Sequence, residues 1–153
     1  FSQTLALNLM TAFGTVKAAA KHMPEGGSVV LLSSVAARIG LANHEAIAAA
    51  KAGVTGLALS AAASYAARGL RLHVVAPGLV QTPRTERVTR SATARQASLD
   101  LHPRGRLGEP EDIASAIAWL LDPAQGWMTG QVIGVDGGLS SVRPLPRRPA
   151  KTG

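Results

Sequence analysis

Residues 26–34 read GGSVVLLSS. A run of four apolar β-formers, fenced by a Gly pair and a Ser pair, is the pattern of a strand buried on both faces, and Ser28 to Ser33 is expected to be one. Ahead of it, Leu5, Leu9, Ala12, Phe13, Val16 and Ala20 recur at three- and four-residue spacing, which predicts a helix over residues 2–22 that Pro24 and Gly26-Gly27 stop. Behind it, alanine-rich sequence from His44 to Ala67 predicts a long helix, with Asn43 as its N-cap and Gly69 as its stop. Arg71 to Val75 (RLHVV) is a second buried strand closed by Pro77-Gly78. Residues 79–108 lack periodicity and are expected to form a long loop with one irregular helix. Pro110, Glu111 and Asp112 open a further helix to Leu121, with proline in the first turn and acids against the positive end of the dipole. Gln131 to Val135 is a third strand, ended by Gly137-Gly138. Strands joined by helical crossovers lie parallel, so the expected class is α/β, one parallel sheet covered by helices.

Composition narrows the possibilities. Hydrophobic residues make up 46% of the 153 residues, enough for one domain's core, while aromatics are only 3%. The absence of cysteine removes disulfides, thiolate metal sites and cysteine nucleophiles. It fits a reducing cytoplasm, the expected location. No metal site is expected. The uncharged stretches 1–16 and 52–67 are too short and too rich in small residues for a membrane span. No basic region leads into an apolar run at the start, as a signal peptide requires. The chain begins with Phe1 and runs straight into apolar periodicity, and the first strand would leave an unpaired edge. Both features read as a piece of something longer.

The net charge of +7 is localised. Residues 82–108 carry six arginines against Glu86 and Asp100, and residues 140–153 carry Arg143, Arg147, Arg148 and Lys151 with no acid. The rest of the chain is close to neutral. The basic segments read as a solvated lid and a tail, or else as a strip for an anionic substrate or nucleic acid. Neither has the interleaved aromatics on which bases stack, so no nucleic-acid partner is expected. The tail, 142–153, holds too little apolar surface to offset its ordering and is expected to be disordered.

Ligands of open parallel sheets bind beyond the carboxyl ends of the strands. That draws attention to Ser33-Ser34, to Pro77-Gly78 through Thr82, and to Asp136-Gly137-Gly138. On local grounds Ser34 is a turn serine or a hydroxyl donor. Lys51 is a lone cation on an otherwise uncharged face from Ala46 to Ala67; it either snorkels to water or has a partner. Asn8 sits mid-helix, where asparagine is a poor former.

The whole chain resembles the C-terminal half of a short-chain dehydrogenase/reductase. The stretches that carry the resemblance are LNLMTAFGTVKAAAKHM (7–23), GGSVVLLSSVAARIG (26–40), AIAAAKAGVTGLALSAAASYAARGLRLHVVAPGLVQTP (46–83), GRLGEPEDIASAIAWLL (105–121) and TGQVIGVDGG (129–138). The ending is most similar to 3-oxoacyl-acyl-carrier-protein reductases and their many relatives. The resemblance implies the C-terminal portion of a Rossmann-like doubly wound sheet over residues 1–141: three strands, about three long helices and a lid loop.

It also implies an NAD(P)-dependent oxidoreductase acting on a small-molecule carbonyl/alcohol pair, with a homodimer or homotetramer formed by the full-length protein. The family places its active-site serine thirteen residues before a tyrosine and its lysine four after. With Lys51 in register, Ser34 is the serine and Asn8 the asparagine of the water relay. Lys51 lowers the tyrosine's pKa and holds the nicotinamide ribose. Pro77, Gly78, Val80 and Thr82 match the nicotinamide-side loop. The tyrosine position falls on Ile47, which can transfer no proton. Tyr65 is eighteen residues along the same helix, roughly 27 Å away, too far to substitute. His44 shares the face of Ile47 one turn earlier and could act as a surrogate; otherwise it is a capping or surface histidine. Glu45 is turned away. No G-x-G-x-x-G opens a helix here, so the choice between NAD and NADP is unreadable. The rival expectation is a non-catalytic relative, a cofactor-binding or assembly subunit that has kept the fold and lost the tyrosine.

Overall fold

The computed structural model describes residues 1–145; most of the predicted disordered tail, 146–153, lies outside the described residues. The chain forms α1 (Ser2–Leu5), a π-helical turn (Ala6–Met10), α2 (Thr11–His22), β1 (Gly27–Leu32), α3 (Glu45–Tyr65), β2 (Leu70–Pro77), α4 (Glu86–Thr89), α5 (Ala92–Leu101), α6 (Pro110–Leu121) and β3 (Val132–Val135), with short 3-10 turns at Val35–Ala37, Ala66–Arg68 and Pro123–Gln125. The three strands make one parallel sheet in the order β1-β2-β3, with Gly27 opposite Leu70 and Val74 opposite Val132.

Alternation along β2 explains the two layers. Leu70, Leu72 and Val74 turn to one face and join Val16 and Ala19 of α2, Val29 and Leu31 of β1, and Val54, Ala58, Ala61 and Ala62 of α3 in the larger core. Val75 turns to the other face and meets Ile113 and Leu120 of α6. Helices on both faces make the doubly wound arrangement that the alternating pattern predicts. By length and composition, Glu45–Arg68 is apolar enough to cross a membrane, but here it is a core helix. Its buried small residues let it lie close to the sheet, and a Cβ on Gly53 would sit 3.0 Å from the Leu9 side chain, so α3 and the π turn pack with almost no spacer.

Several expectations are corrected. The first helix is not continuous α: residues 6–10 form a π turn, which accommodates one extra residue and turns Asn8 out of the ordinary register. The first strand spans Gly27–Leu32 and the second Leu70–Pro77, so Ser33 lies just past β1. The cap of α3 is His44 rather than Asn43, which takes a left-handed φ of 61°, a region where asparagine's short polar side chain is tolerated. Gly69 ends the α3 segment at φ 70°, as expected. The 79–108 segment holds two helices instead of one irregular helix, because Ser91 accepts a hydrogen bond from the Ala94 amide and starts α5 afresh.

Candidate functional site at the carboxyl ends of the strands

The carboxyl ends of all three strands open on one side of the sheet. Ser34, two residues past β1, is half-buried and caps the 3-10 turn by accepting a hydrogen bond from the Ala36 amide at 3.2 Å. Its hydroxyl hydrogen has no acceptor among the described residues. Ser33, which the sequence offers together with Ser34 as the end of the first strand, is the structural anchor. Its amide donates to the Val75 carbonyl at 2.8 Å, and its hydroxyl donates to the Lys51 carbonyl at 2.9 Å. Thr55, one turn further along α3, donates to Ser33 Oγ at 3.3 Å. The end of β1 is thereby fastened to the first turns of α3.

Lys51 is half-buried on that same helix face, and its Nζ donates to the Leu32 carbonyl at 2.8 Å. An ammonium has three donors, so two remain for a ligand. Burial, and then the charge of Arg84, push the Lys51 ammonium below its usual value of 10.5. The structure therefore brings Lys51 and Ser34 to one strand end, two residues apart along the β1 exit. Ile47 lies one turn before Lys51 and is half-buried. His44 is exposed. Its Nδ1 lies 2.7 Å from the Ala42 carbonyl, and since a carbonyl only accepts, Nδ1 carries the proton and Nε2 is left free. Asn8 donates from Nδ2 to the Thr4 carbonyl at 2.9 Å within the π turn. With Leu9 packed on Gly53, this turn crosses α3 two residues beyond Lys51.

The second wall follows β2. Gly78 donates its amide to the Val135 carbonyl, and a Cβ there would lie 2.8 Å from His102 Nε2 and 2.9 Å from Asp136 Cα, so only glycine fits. Val80 bridges to Gly108. The Thr82 hydroxyl lies 3.0 Å from that of Thr85, which also donates to the Val80 carbonyl at 2.6 Å. Among the described residues no hydrogen bond joins this turn to Ser34 or Lys51. Pro77, Gly78, Val80 and Thr82 thus form one wall, and Ser34 and Lys51 another.

Past β3, the buried Asp136 accepts from the amides of Gly138 and Ser140, each at 3.0 Å, and closes the turn on itself. A cavity of about 310 Å³ between the ends of β2 and β3 is lined by His102, Arg104, Arg106, Asp112 and Asp136. Arg106 grips Asp112 through two 2.7 Å bonds and, by that hydrogen bonding first, holds its carboxyl well below the usual carboxylate range. Among the described residues no three His, Asp or Glu side chains converge as a metal site.

Comparisons with known proteins place the chain in a family and a fold. A family model described as enoyl-(acyl carrier protein) reductase matches residues 1–140. The chain is 41% identical over 128 residues to the cis-4-hydroxycyclohexanecarboxylate dehydrogenase of Sinomonas cyclohexanicum, covering 82% of this chain and 51% of that one. It is 38% identical over 135 residues to the 3-oxoacyl-[acyl-carrier-protein] reductase FabG of Thermotoga maritima, covering 87% and 54%. The solved structure of ElxO with NADP bound superposes with a TM-score of 0.82 at 29% identity, over 88% of this chain and 56% of that one. The chain spans about half the length of the curated relatives it matches.

Proposed function

The chain belongs to the short-chain dehydrogenase/reductase family, and on that premise we propose that the whole protein is an NAD(P)-dependent oxidoreductase acting on a small-molecule carbonyl/alcohol pair. The observation that carries this reading is the half-buried Lys51, held by a single bond to the Leu32 carbonyl beside Ser34. A cation at that place, with two donors unspent, fits the paired hydroxyls of a nicotinamide ribose. When bound, the cofactor supplies the hydride that is exchanged with the substrate carbon. The NADP in the ElxO structure supports such a cofactor without choosing NAD or NADP here. Pro77, Gly78, Val80 and Thr82 are the wall against which the nicotinamide side would rest. In this reading the free hydroxyl hydrogen of Ser34 points catalysis at a substrate oxygen, and Asn8 supports a water relay.

Ile47 is the departure. At the position where the family pattern has its tyrosine there is a side chain with no titratable proton, so the site keeps its binding groups and lacks a general acid. Two readings follow. Either turnover is slow and the protein serves as a cofactor-binding or assembly subunit, or His44 takes up a proton at its free Nε2 and delivers it from there as the imidazolium. Cofactor titration by fluorescence together with hydride transfer on the full-length protein separates them. Binding with little turnover gives the subunit reading; fast turnover lost in His44→Ala gives the histidine reading. Absence of any NAD(P) binding contradicts both.

The same reading includes self-association. The first helical segment exposes Leu7, Met10 and Phe13, each more than half accessible, in a row with helical spacing. Such a row on α1–α2 supports packing against a second copy.

A further inference from the structure

The charge excess of the lid finds no use in the site described so far. Arg84, Arg87, Arg90 and Arg95 crowd the segment from the end of the Thr82 turn into α5, with Glu86 the single acid among them. A cleft of about 540 Å³ opens there, and Gln81, Thr82, Glu86, Thr89, Arg90 and Arg95 line it. It begins at the very turn that forms the second wall of the site, so a molecule reaching past Thr82 enters it.

The cleft is organised by one side chain. Gln81 accepts from Arg95 Nη1 at 3.0 Å and donates through its amide nitrogen to Glu109 at the start of α6. The amide is thus fixed at both ends and holds the Arg95 guanidinium in place, with four of its five N–H donors unspent. Arg90 makes no hydrogen bond or ion pair among the described residues, and neither arginine is neutralised by Glu86, since the one ion pair among the described residues is Arg106–Asp112. Two guanidiniums against one carboxylate leave the lining net positive. The planar donor fork of arginine matches a carboxylate or phosphate oxygen pair.

We propose that this lid cleft binds the acid group of an anionic substrate, a ketone or alcohol bearing a carboxylate or phosphate away from the reacting carbon, with Arg90 and Arg95 as the receiving cations. The proposal rests on the oxidoreductase reading for the reacting end and adds the substrate class. Arg84, next to this lining in the chain, carries a charge that opposes the Lys51 ammonium, so one cation of the lid lies near the site. A carboxylate also appears in the name of the Sinomonas relative's substrate.

The test is equilibrium binding to the full-length protein by calorimetry, with 4-oxocyclohexanecarboxylate and the neutral cyclohexanone as probes, each with and without saturating NADP. The acid is expected to bind about tenfold or more tighter than the neutral ketone, the size of a charge-assisted bond, and the ratio is expected to shrink as salt rises. In the double variant Arg90→Gln/Arg95→Gln the ratio falls to about one, and lysine at both positions, which restores the charge without the planar fork, returns only part of it. Inorganic phosphate competing with the acid at similar concentration extends the class to phosphate esters; failure to compete restricts it to carboxylates. Equal affinity of the two ketones, no saturable binding of the acid, or a double variant that weakens both ketones alike overturns the proposal. The two readings fail separately: an acid preference without binding of either NAD or NADP removes the oxidoreductase reading and keeps the cleft, whereas hydride transfer with no acid preference does the reverse.

Discussion

Lys51 Nζ donates to the Leu32 carbonyl at 2.8 Å, so the ammonium of α3 is anchored to the last residue of β1. Because Ser33 donates to the Lys51 carbonyl, helix and strand end are stitched in both directions, and Ser34 is delivered at a fixed offset from the cation. Burial and Arg84 both disfavour the charge on Lys51. Replacing Arg84 by glutamine removes the second of these and leaves the first. The Lys51 titration, followed by ¹³Cε chemical shift, is expected to move up toward 10.5 and remain below it. No movement would mean that Arg84 does not reach the site.

His102 joins the end of the lid to its beginning. Nδ1 donates to the Ser98 carbonyl at 2.7 Å, and Nε2 accepts from the Leu79 amide at 3.2 Å. His102→Leu keeps the volume and removes both bonds, leaving the N–H of half-buried Leu79 and the C=O of half-buried Ser98 without this partner. The expected cost is about 1–3 kcal/mol, concentrated in residues 79–101. Limited proteolysis is expected to cut there faster than in the wild type while cleavage in α2 is unchanged. Equal cleavage throughout would place the loss elsewhere.

His73 is fully buried beneath α6 with both ring nitrogens lacking a partner. Burial first, then the nearby Arg71 charge, pushes it below the ordinary 6.5, and the Met128 backbone opposes this without reaching hydrogen-bond geometry. The folded state therefore binds this proton less readily than the unfolded one. Its contribution to stability is complete above 6.5 and is lost as pH falls below it toward the depressed folded value. Urea unfolding at about pH 8 and about pH 5 is expected to show a smaller pH loss in His73→Leu than in the wild type, and a more stable variant at both, since two unpaired nitrogens leave the core. An identical pH loss in both proteins would contradict this.

If the exposed row on the first helical segment is an assembly face, Met10→Glu with Phe13→Glu places two charges in it. Sedimentation of the full-length protein is expected to shift to the monomer at micromolar concentration with an unchanged helical spectrum. An unchanged sedimentation coefficient would show that another face mediates any association.

Much of the fold is legible in the residues because its signals are local. Gly26-Gly27 and Pro77-Gly78 mark strand ends, Pro110 with two acids marks a helix start, and RLHVV reads as a strand buried on both faces. Ser34, Lys51 and Asn8 are picked out by the family resemblance, and the structure seats the first two at one strand end. What escaped depends on tertiary context. The π turn hides because one inserted residue barely disturbs a three- and four-residue pattern; only the misfit Asn8 hinted at it. Two lid helices were missed because Ser91 restarts the helix without apolar periodicity. The bonds of Ser33 and His102 and the missing partners of His73 have no local signal. Their roles come from what the fold packs against them.

The central claim is that Ile47 occupies the proton donor's place in an otherwise competent site. Ile47→Tyr sets a phenol one turn before Lys51, whose charge favours the phenolate. The most direct test is the rate of hydride transfer to a ketone by full-length wild type, Ile47→Tyr and Ile47→Tyr/Lys51→Ala under saturating cofactor. The account predicts slow wild-type turnover, a gain on the order of 10² to 10⁴ in Ile47→Tyr, and loss of that gain when Lys51 is also replaced. A wild type already fast, indifferent to Ile47→Tyr and silenced by His44→Ala, would contradict it.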